Sequence, residues 1–206
     1  IEHGLLHSRY TMTDRACIED RWVNLFGRPG REQRGERGRI LVGTQVLEQS
    51  LDIDADFLVS RFAPTDMLLQ RMGRLWRHAD TPRPVGTHCE AWLLAPELDA
   101  AIESPPAAFG DSAYVYAPYV LCRSLAVWRE RTAVALPNDI RGLIEATYAE
   151  RGEDGAMARW LHELDNGSGS GARRRKGRIA LAQLARLGLA MDGNTLPESK
   201  AQTRYS

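Results

Sequence analysis

The chain has 206 residues, enough for one core or a small pair of them, and its 43% apolar and 26% charged content is that of an ordinary globular protein. Its 27 lysines and arginines match its 27 aspartates and glutamates, so net charge gives no argument for a polyanionic partner. No apolar run approaches the roughly 20 residues that span a bilayer, and no basic-then-apolar leader opens the sequence, so the expectation is a cytoplasmic protein without a membrane span.

Gly4 to Arg9 (GLLHSR) reads as a short buried strand of a parallel sheet that delivers His7, Ser8 and Arg9 to its carboxyl end. The chain opens at Ile1, already close to this strand, which suggests a truncated start. A helix follows, capped by Thr11 or Thr13, with Ile18, Trp22, Leu25 and Phe26 at helical spacing before Gly27 and Pro29 stop it. The stretch from Arg28 to Gly38, rich in glycine and arginine, reads as a loop. Arg39 to Gly43 (RILVG) is a second buried strand, and the polar segment TQVLEQSLDID comes after it. Phe57 to Phe62 is a third strand, and Pro64 then ends it. Thr65 or Asp66 caps a helix predicted to run to about His78, and Thr87 to Ala95 forms a fourth strand. Strand, helix, strand, strand, helix, strand is the order of an α/β fold with a parallel sheet, here over residues 1–96.

Beyond residue 96 the character changes. Residues 97–118, with proline pairs and small side chains, read as a linker. Residues 119–166 read as a helical extension, with Leu121, Leu125 and Trp128 on one stripe and Ile140, Leu143, Ile144 and Tyr148 on another. Residues 167–206 begin with GSGSG and carry the basic cluster Arg173, Arg174, Arg175, Lys176 and Arg178. They read as a flexible or weakly ordered tail, with one last short helix over 179–189. Such a cluster fits phosphate contact and a solvated loop alike. Cys17, Cys89 and Cys122 lack the paired spacing of a zinc or redox site.

The segment Gln70 to His78 (QRMGRLWRH) is the most informative. As a helix it places Leu68, Met72, Leu75 and Trp76 on one arc of roughly 100°, and Gln70, Arg74 and Arg77 within about 60° of each other on the opposite side. Arginine stays charged and forks onto phosphate oxygens, and an arginine set against a transferred phosphoryl group is worth about a thousandfold or more in rate. The same spacing also fits a solvated stripe. Asp52, Asp54 and Asp56 alternate as carboxylates that hold a hard cation do, but no glycine turn or later bidentate glutamate completes a calcium loop.

Taken together, LLHSR, GTQVLEQSLDID and QRMGRLWRH resemble, in order and spacing, motifs IV, V and VI of the second RecA-like motor lobe of superfamily 2 helicases. The wording is most similar to the CRISPR-associated type I interference helicase–nuclease. DEAD-box helicases usually carry an alanine–arginine–glycine phrase where this chain has Glu48, Gln49 and Ser50, and a histidine in place of Gln70. YAPYVLCRSL and ALPNDIRGLIEATY resemble that family's C-terminal extension, so the likeness spans about residues 4 to 150. The resemblance implies that Arg77 is an arginine finger and Arg74 its partner, both directed at the γ-phosphate of ATP. It implies that Gln70 supports nucleotide contact, that Asp52 senses the nucleotide, and that Ser8, Arg9, Thr44 and Gln45 contact the nucleic-acid strand. Read from the residues alone, Asp52 also fits a turn, and Ser8 and Arg9 a solvated strand end.

Neither G-x-x-x-x-G-K-[ST] nor an Asp-Glu magnesium box occurs in the sequence. The resemblance therefore implies ATP and magnesium held mainly by a first motor lobe outside this sequence, and a chain that does not hydrolyse ATP by itself. The implied partners are single-stranded DNA, that first lobe, a nuclease domain and a CRISPR surveillance complex. Another DNA-directed superfamily 2 helicase, such as a repair or restriction translocase, and a non-catalytic nucleic-acid-binding adaptor are the alternatives.

Overall fold

A computed structural model describes residues 1–34, 37–48, 51–168 and 175–179. In chain order the elements are β1 (Glu2–Leu6), α1 (Met12–Phe26), β2 (Arg39–Gly43), β3 (Phe57–Arg61), α2 (Thr65–Met72), β4 (Glu90–Leu94), α3 (Leu98–Glu103), α4 (Pro105–Phe109), α5 (Ser112–Val115), α6 (Pro118–Trp128), α7 (Ile140–Tyr148), α8 (Gly155–Asn166), β5 (Gly167–Ser168) and β6 (Arg175–Lys176). Short 3-10 turns occupy Arg28–Gln33 and Gln45–Glu48. The chain divides into two compact units, Ile1–Ala95 with Glu130–Thr147, and Pro96–Arg129 with Tyr148–Ser206. No helix among the described residues is long and apolar enough to cross a membrane.

The first unit has the α/β order that the sequence predicts. β1 pairs in parallel with β2, from Glu2 opposite Arg39 to Leu6 opposite Gly43, and β3 pairs in parallel with β4, from Phe57 opposite Glu90 to Arg61 opposite Leu94. Thr11 caps α1: its Oγ1 accepts from the Asp14 amide at 3.2 Å, and its hydroxyl donates to the Asp14 carboxylate at 2.7 Å. At the other end the Gly27 amide donates back to the Val23 carbonyl at 2.7 Å. Trp22, buried, anchors the helix beneath β1. A Cβ on Gly4 would fall 2.1 Å from Trp22 Cζ2, so only glycine allows this approach.

The strands are not buried on both faces, as their apolar runs suggest. Leu5, Ile40 and Val42 on the first pair, and Phe57, Val59, Trp92 and Leu94 on the second, are each about half exposed. Side chains alternate along a strand, so these positions form one face of each pair, and Leu6 and Ser60 lie on the covered one. α7 joins this unit through buried Leu143 and through Thr147, whose Oγ1 lies 2.6 Å from Thr65 Oγ1.

The helix predicted over 65–78 ends at Met72. The Gly73 amide donates to Leu69 O, after which the Arg74 and Leu75 amides donate to the carbonyls three residues back, tightening the last turn. A non-local contact then takes over, because Leu75 bridges Ala55 in parallel.

In the second unit, 97–118 is not a bare linker but carries α3, α4 and α5. Pro105 and Pro118 stand in first turns, where a missing amide hydrogen costs nothing, so they start helices rather than break them. Ala101, Phe109, Leu121, Cys122, Leu125 and Trp160 are buried in this unit. The Trp160 indole donates to Ile102 O at 2.7 Å, and Tyr119 donates to the Glu153 carboxylate at 2.9 Å. Within the segment read as a tail, β5 and β6 form a two-residue antiparallel pair. Arg173, Arg174 and the helix expected over 179–189 lie, but for Ile179, outside the described residues.

Candidate functional site

Because β1 and β2 are parallel, their carboxyl ends lie side by side, the end of an α/β sheet at which ligands bind. The Thr44 amide donates to Leu6 O at 3.2 Å, continuing the ladder past Gly43. Ser8 and Arg9 leave β1 exposed, and Thr44 and Gln45 leave β2 exposed. The turn after Thr44 is anchored by Val46, which is buried, and by a Leu47 amide bond to Thr44 O at 3.0 Å. His7 stacks on Tyr10 at 4.2 Å and accepts from the Arg9 amide through Nδ1, which fixes the turn that carries Ser8 and Arg9. The structure therefore brings these four sequence-predicted residues to one end of one strand pair.

A second set forms where the 51–56 segment meets the 74–78 turn. The Ala55 amide donates to Arg74 O at 2.7 Å, and the Trp76 amide donates to Ala55 O at 2.9 Å. Trp76 adopts φ +48°, a left-handed conformation that costs an L residue about 1–2 kcal/mol. Its indole donation to Asp56 O at 2.9 Å, and the Arg83 guanidinium 5.1 Å from its ring centre, offset that cost.

Arg74 reaches back from this bridge, donating through Nη1 to Leu51 O at 2.7 Å and through Nη2 to Glu48 O at 3.2 Å. Desolvation, with the like charge of Arg77, pulls its guanidinium below the usual arginine range, and Asp52 opposes the shift. Arg77 is 39% exposed and sets Nε 3.1 Å from Asp52 Oδ1. His78 is buried, with Nε2 3.0 Å from the same oxygen. Asp52, Arg74 and Arg77 thus meet, whereas Gln70 is exposed on α2, outside this set of contacts. The helical wheel that aligns Gln70 with both arginines does not hold past Met72: the arginines are placed by the turn and the bridge. Gln49 and Ser50 lie outside the described residues.

Sequence reasoning missed the charged layer under this set. Asp54 is fully buried. It receives Arg83 Nη2 on Oδ1 at 2.5 Å, and Arg34 lies 3.5 Å from Oδ2. Asp56 Oδ1 accepts from Arg34 at 2.8 Å and from Arg83 at 2.6 Å. Arg34 also donates to the carbonyls of Phe26 and Asp54. Burial opposes ionisation of Asp54, but the Arg83 hydrogen bond and the Arg34 charge outweigh it and hold its carboxyl below the ordinary aspartate range. The alternating aspartates are therefore held by guanidiniums from 20 and 29 residues away, a separation that no local pattern reveals. Beside them, Arg71 grips Glu48 Oε1 through Nε at 2.8 Å and Nη2 at 2.5 Å, and donates to Ser60 Oγ at 2.8 Å. Among the described residues no three metal-capable side chains converge.

Arg77 is thus exposed at the edge of a turn that a largely buried ion-pair network holds from one side. Residues 1–80 match the family described as CRISPR-associated nuclease/helicase Cas3, C-terminal. A CRISPR-associated endonuclease/helicase Cas3 from Thermus thermophilus is 42% identical over 153 residues, which are 70% of this chain and 15% of that one. The crystal structure of T. fusca Cas3-AMPPNP superposes with a TM-score of 0.70 at 32% identity, covering 97% of this chain and 20% of that one. A chain of a CRISPR RNA-guided surveillance complex, pre-nicking, is similar at TM-score 0.62 and 35% identity, over 78% of this chain and 19% of that one. The chain thus spans about a fifth or less of the length of these relatives. Matched by sequence and by fold, the chain belongs to the Cas3 helicase–nuclease family and corresponds to its C-terminal part.

Proposed function

We propose that this chain is the second-motor-lobe portion of an ATP-dependent DNA helicase of CRISPR interference. The observation that carries the reading is an exposed Arg77 tethered through Nε to Asp52, at the edge of a turn fastened to the 51–56 segment. Arg77 is the arginine finger, its guanidinium suited to forking onto a γ-phosphate, and Arg74 is its partner, with two donors on the 48–51 carbonyls. Asp52 senses the nucleotide through its contact with Arg77, and Gln70 supports the same nucleotide from α2. Ser8, Arg9, Thr44 and Gln45, exposed together beyond β1 and β2, grip single-stranded DNA by its phosphates.

ATP supplies the phosphoryl group. ATP and magnesium are held mainly by a first lobe outside this sequence, so the chain alone does not turn ATP over. A nuclease domain and a CRISPR surveillance complex, named in the relatives' descriptions, are the further partners proposed for the whole protein.

In the whole protein that carries this lobe, Arg77→Ala should lower DNA-stimulated ATP turnover by about a thousandfold or more. The isolated chain should show no turnover, and its affinity for single-stranded DNA should be weak and fall with salt. Robust hydrolysis by the isolated chain, or full turnover by the Arg77→Ala protein, refutes the assignment.

A further inference from the structure

The 54–56 segment and the 76–78 turn are both held by one side chain with no motif role, Arg83, from the loop that follows the turn. Its Nη2 donates to Asp54 Oδ1 at 2.5 Å and to His78 O at 3.3 Å, its Nη1 donates to Asp56 Oδ1 at 2.6 Å, and its guanidinium lies against the Trp76 ring. Only 10% of the side chain is exposed. The two segments it joins carry, next to those contacts, Asp52 on one side and Arg77 and His78 on the other. Their mutual backbone bonds, Ala55 to Arg74 and Trp76 to Ala55, lie between.

We propose that Arg83 is a positioning residue for the arginine finger: it clamps the Asp54–Asp56 segment to the Trp76–His78 turn and so fixes Arg77 relative to Asp52. The geometry uses the guanidinium as a planar fork. Two nitrogens reach two carboxylates and a carbonyl while the central carbon sits 5.1 Å from the centre of the indole. A lysine at this place would keep the charge beside Asp54 and Asp56 but would present a single point donor. Arg34 pairs with the same two carboxylates from the α1 side, where it also donates to Phe26 O, and among the described residues its hydrogen bonds and ion pairs do not reach the 76–78 turn. Neutralisation and clamping are therefore separable at Arg83.

This inference rests on the reading of Arg77 given above, and its test separates the two. In the whole protein, Arg83→Lys is compared with the parent and with Arg83→Gln, each with and without Arg77→Ala. Amide hydrogen exchange is followed in peptides covering 51–56 and 74–78, with β1 and β2 peptides as the reference. Arg83→Lys should speed exchange at the Ala55 and Trp76 amides at least tenfold while leaving β1 and β2 unchanged. It should lower kcat for DNA-stimulated ATP hydrolysis about tenfold with the nucleotide KM within about twofold. Arg77→Ala should cost far less in the Arg83→Lys background than in the parent. Arg83→Gln should show the same pattern, larger.

Unchanged exchange at Ala55 and Trp76 overturns the clamp. So does an equal cost of Arg77→Ala in both backgrounds, or faster exchange spread over β1 and β2. If Arg77→Ala retains full turnover in the parent, the reading of Arg77 fails, and the clamp is decided by exchange alone.

Discussion

Both units bury apolar side chains, Leu6, Trp22 and Leu68 in the first and Leu121 in the second, but the first also buries an ion-pair network. Around Asp54 the first unit sets one fully buried carboxylate and two largely buried guanidiniums against the part-exposed Asp56, whereas around α6 the second packs Leu121, Cys122, Leu125 and Trp160. Apolar burial is non-directional and supplies free energy in proportion to area. A buried ion-pair network supplies little net stability once desolvation is counted, but it tolerates few geometries and is costly to leave incomplete. Directional precision is therefore concentrated where the Asp54, Arg34 and Arg83 network adjoins the 51–56 segment and the 74–78 turn, and the apolar packing around α6 shapes a helical unit.

Breaking the frame should have the largest effect on stability. Asp54→Ala removes one of the two carboxylate acceptors of Arg83 and the fully buried counter-charge 3.5 Å from Arg34, and leaves both guanidiniums sharing Asp56. About 3–5 kcal/mol should be lost from the first unit, measured by urea unfolding with exchange at β1–β2 amides as the probe. A loss below about 1 kcal/mol would mean that the network is not a frame.

In the second unit Leu121→Ala should cost about 2–5 kcal/mol through the cavity it leaves, read by exchange in α6. Because no charge is stranded there, a Met in place of Leu121 should recover most of the loss. No conservative replacement should do so at Asp54. Thiol labelling draws the same contrast: Cys17 and Cys89 are exposed, whereas Cys122 is buried and its thiol is pushed up to about 12. At pH 8 two of the three thiols should react with an aromatic disulfide, and the third only on unfolding. Fast reaction of all three would break the picture of a closed apolar core.

Acid provides a smaller, graded test. Asp54 has a folded pKa below that of the unfolded chain, so its contribution is fully present above the ordinary aspartate value of about 4 and is lost as pH falls through the lowered folded value. The first unit should therefore lose urea resistance more steeply than the second between pH 5 and the acid limit. Asp54→Asn should flatten that dependence, and an unchanged slope would show that Asp54 is not held ionised.

How much of this was legible in the sequence follows from how far each cause lies along the chain. β2, with the apolar run Ile40, Leu41 and Val42 between Gly38 and Gly43, and α1, with Thr11 and Trp22, are local and were readable. Ser8 and Arg9 at the carboxyl end of β1 were readable too, whereas Thr44 and Gln45 were singled out by the family resemblance, and the parallel pairing sets the two strand ends side by side. The end of α2 was not readable. Helical spacing continues through Leu75 and Trp76, and only the bridge from Ala55, 20 residues back, turns the chain out of the helix. Arg83 was invisible for the same reason, since its value comes from carboxylates 27 and 29 residues away. The short helices between Pro96 and Val115 were hidden by prolines that mark loops when isolated and helix starts when they fall in a first turn.

The smallest effect concerns how the first unit recruits its second stretch of chain. Thr147 on α7 and Thr65 at the start of α2 share a buried hydroxyl contact at 2.6 Å across 82 residues of sequence. Thr147→Val keeps the volume but takes one member of the pair away, and should cost about 1–2 kcal/mol. Thr65→Val should cost a similar amount. If the contact is what matters, the double variant should cost clearly less than the sum of the two, because an apolar pair of the same shape leaves nothing unsatisfied. Additive costs would instead mean that each threonine serves its own helix, and that α7 is held to this unit by Leu143 and its apolar neighbours rather than by the hydroxyl pair.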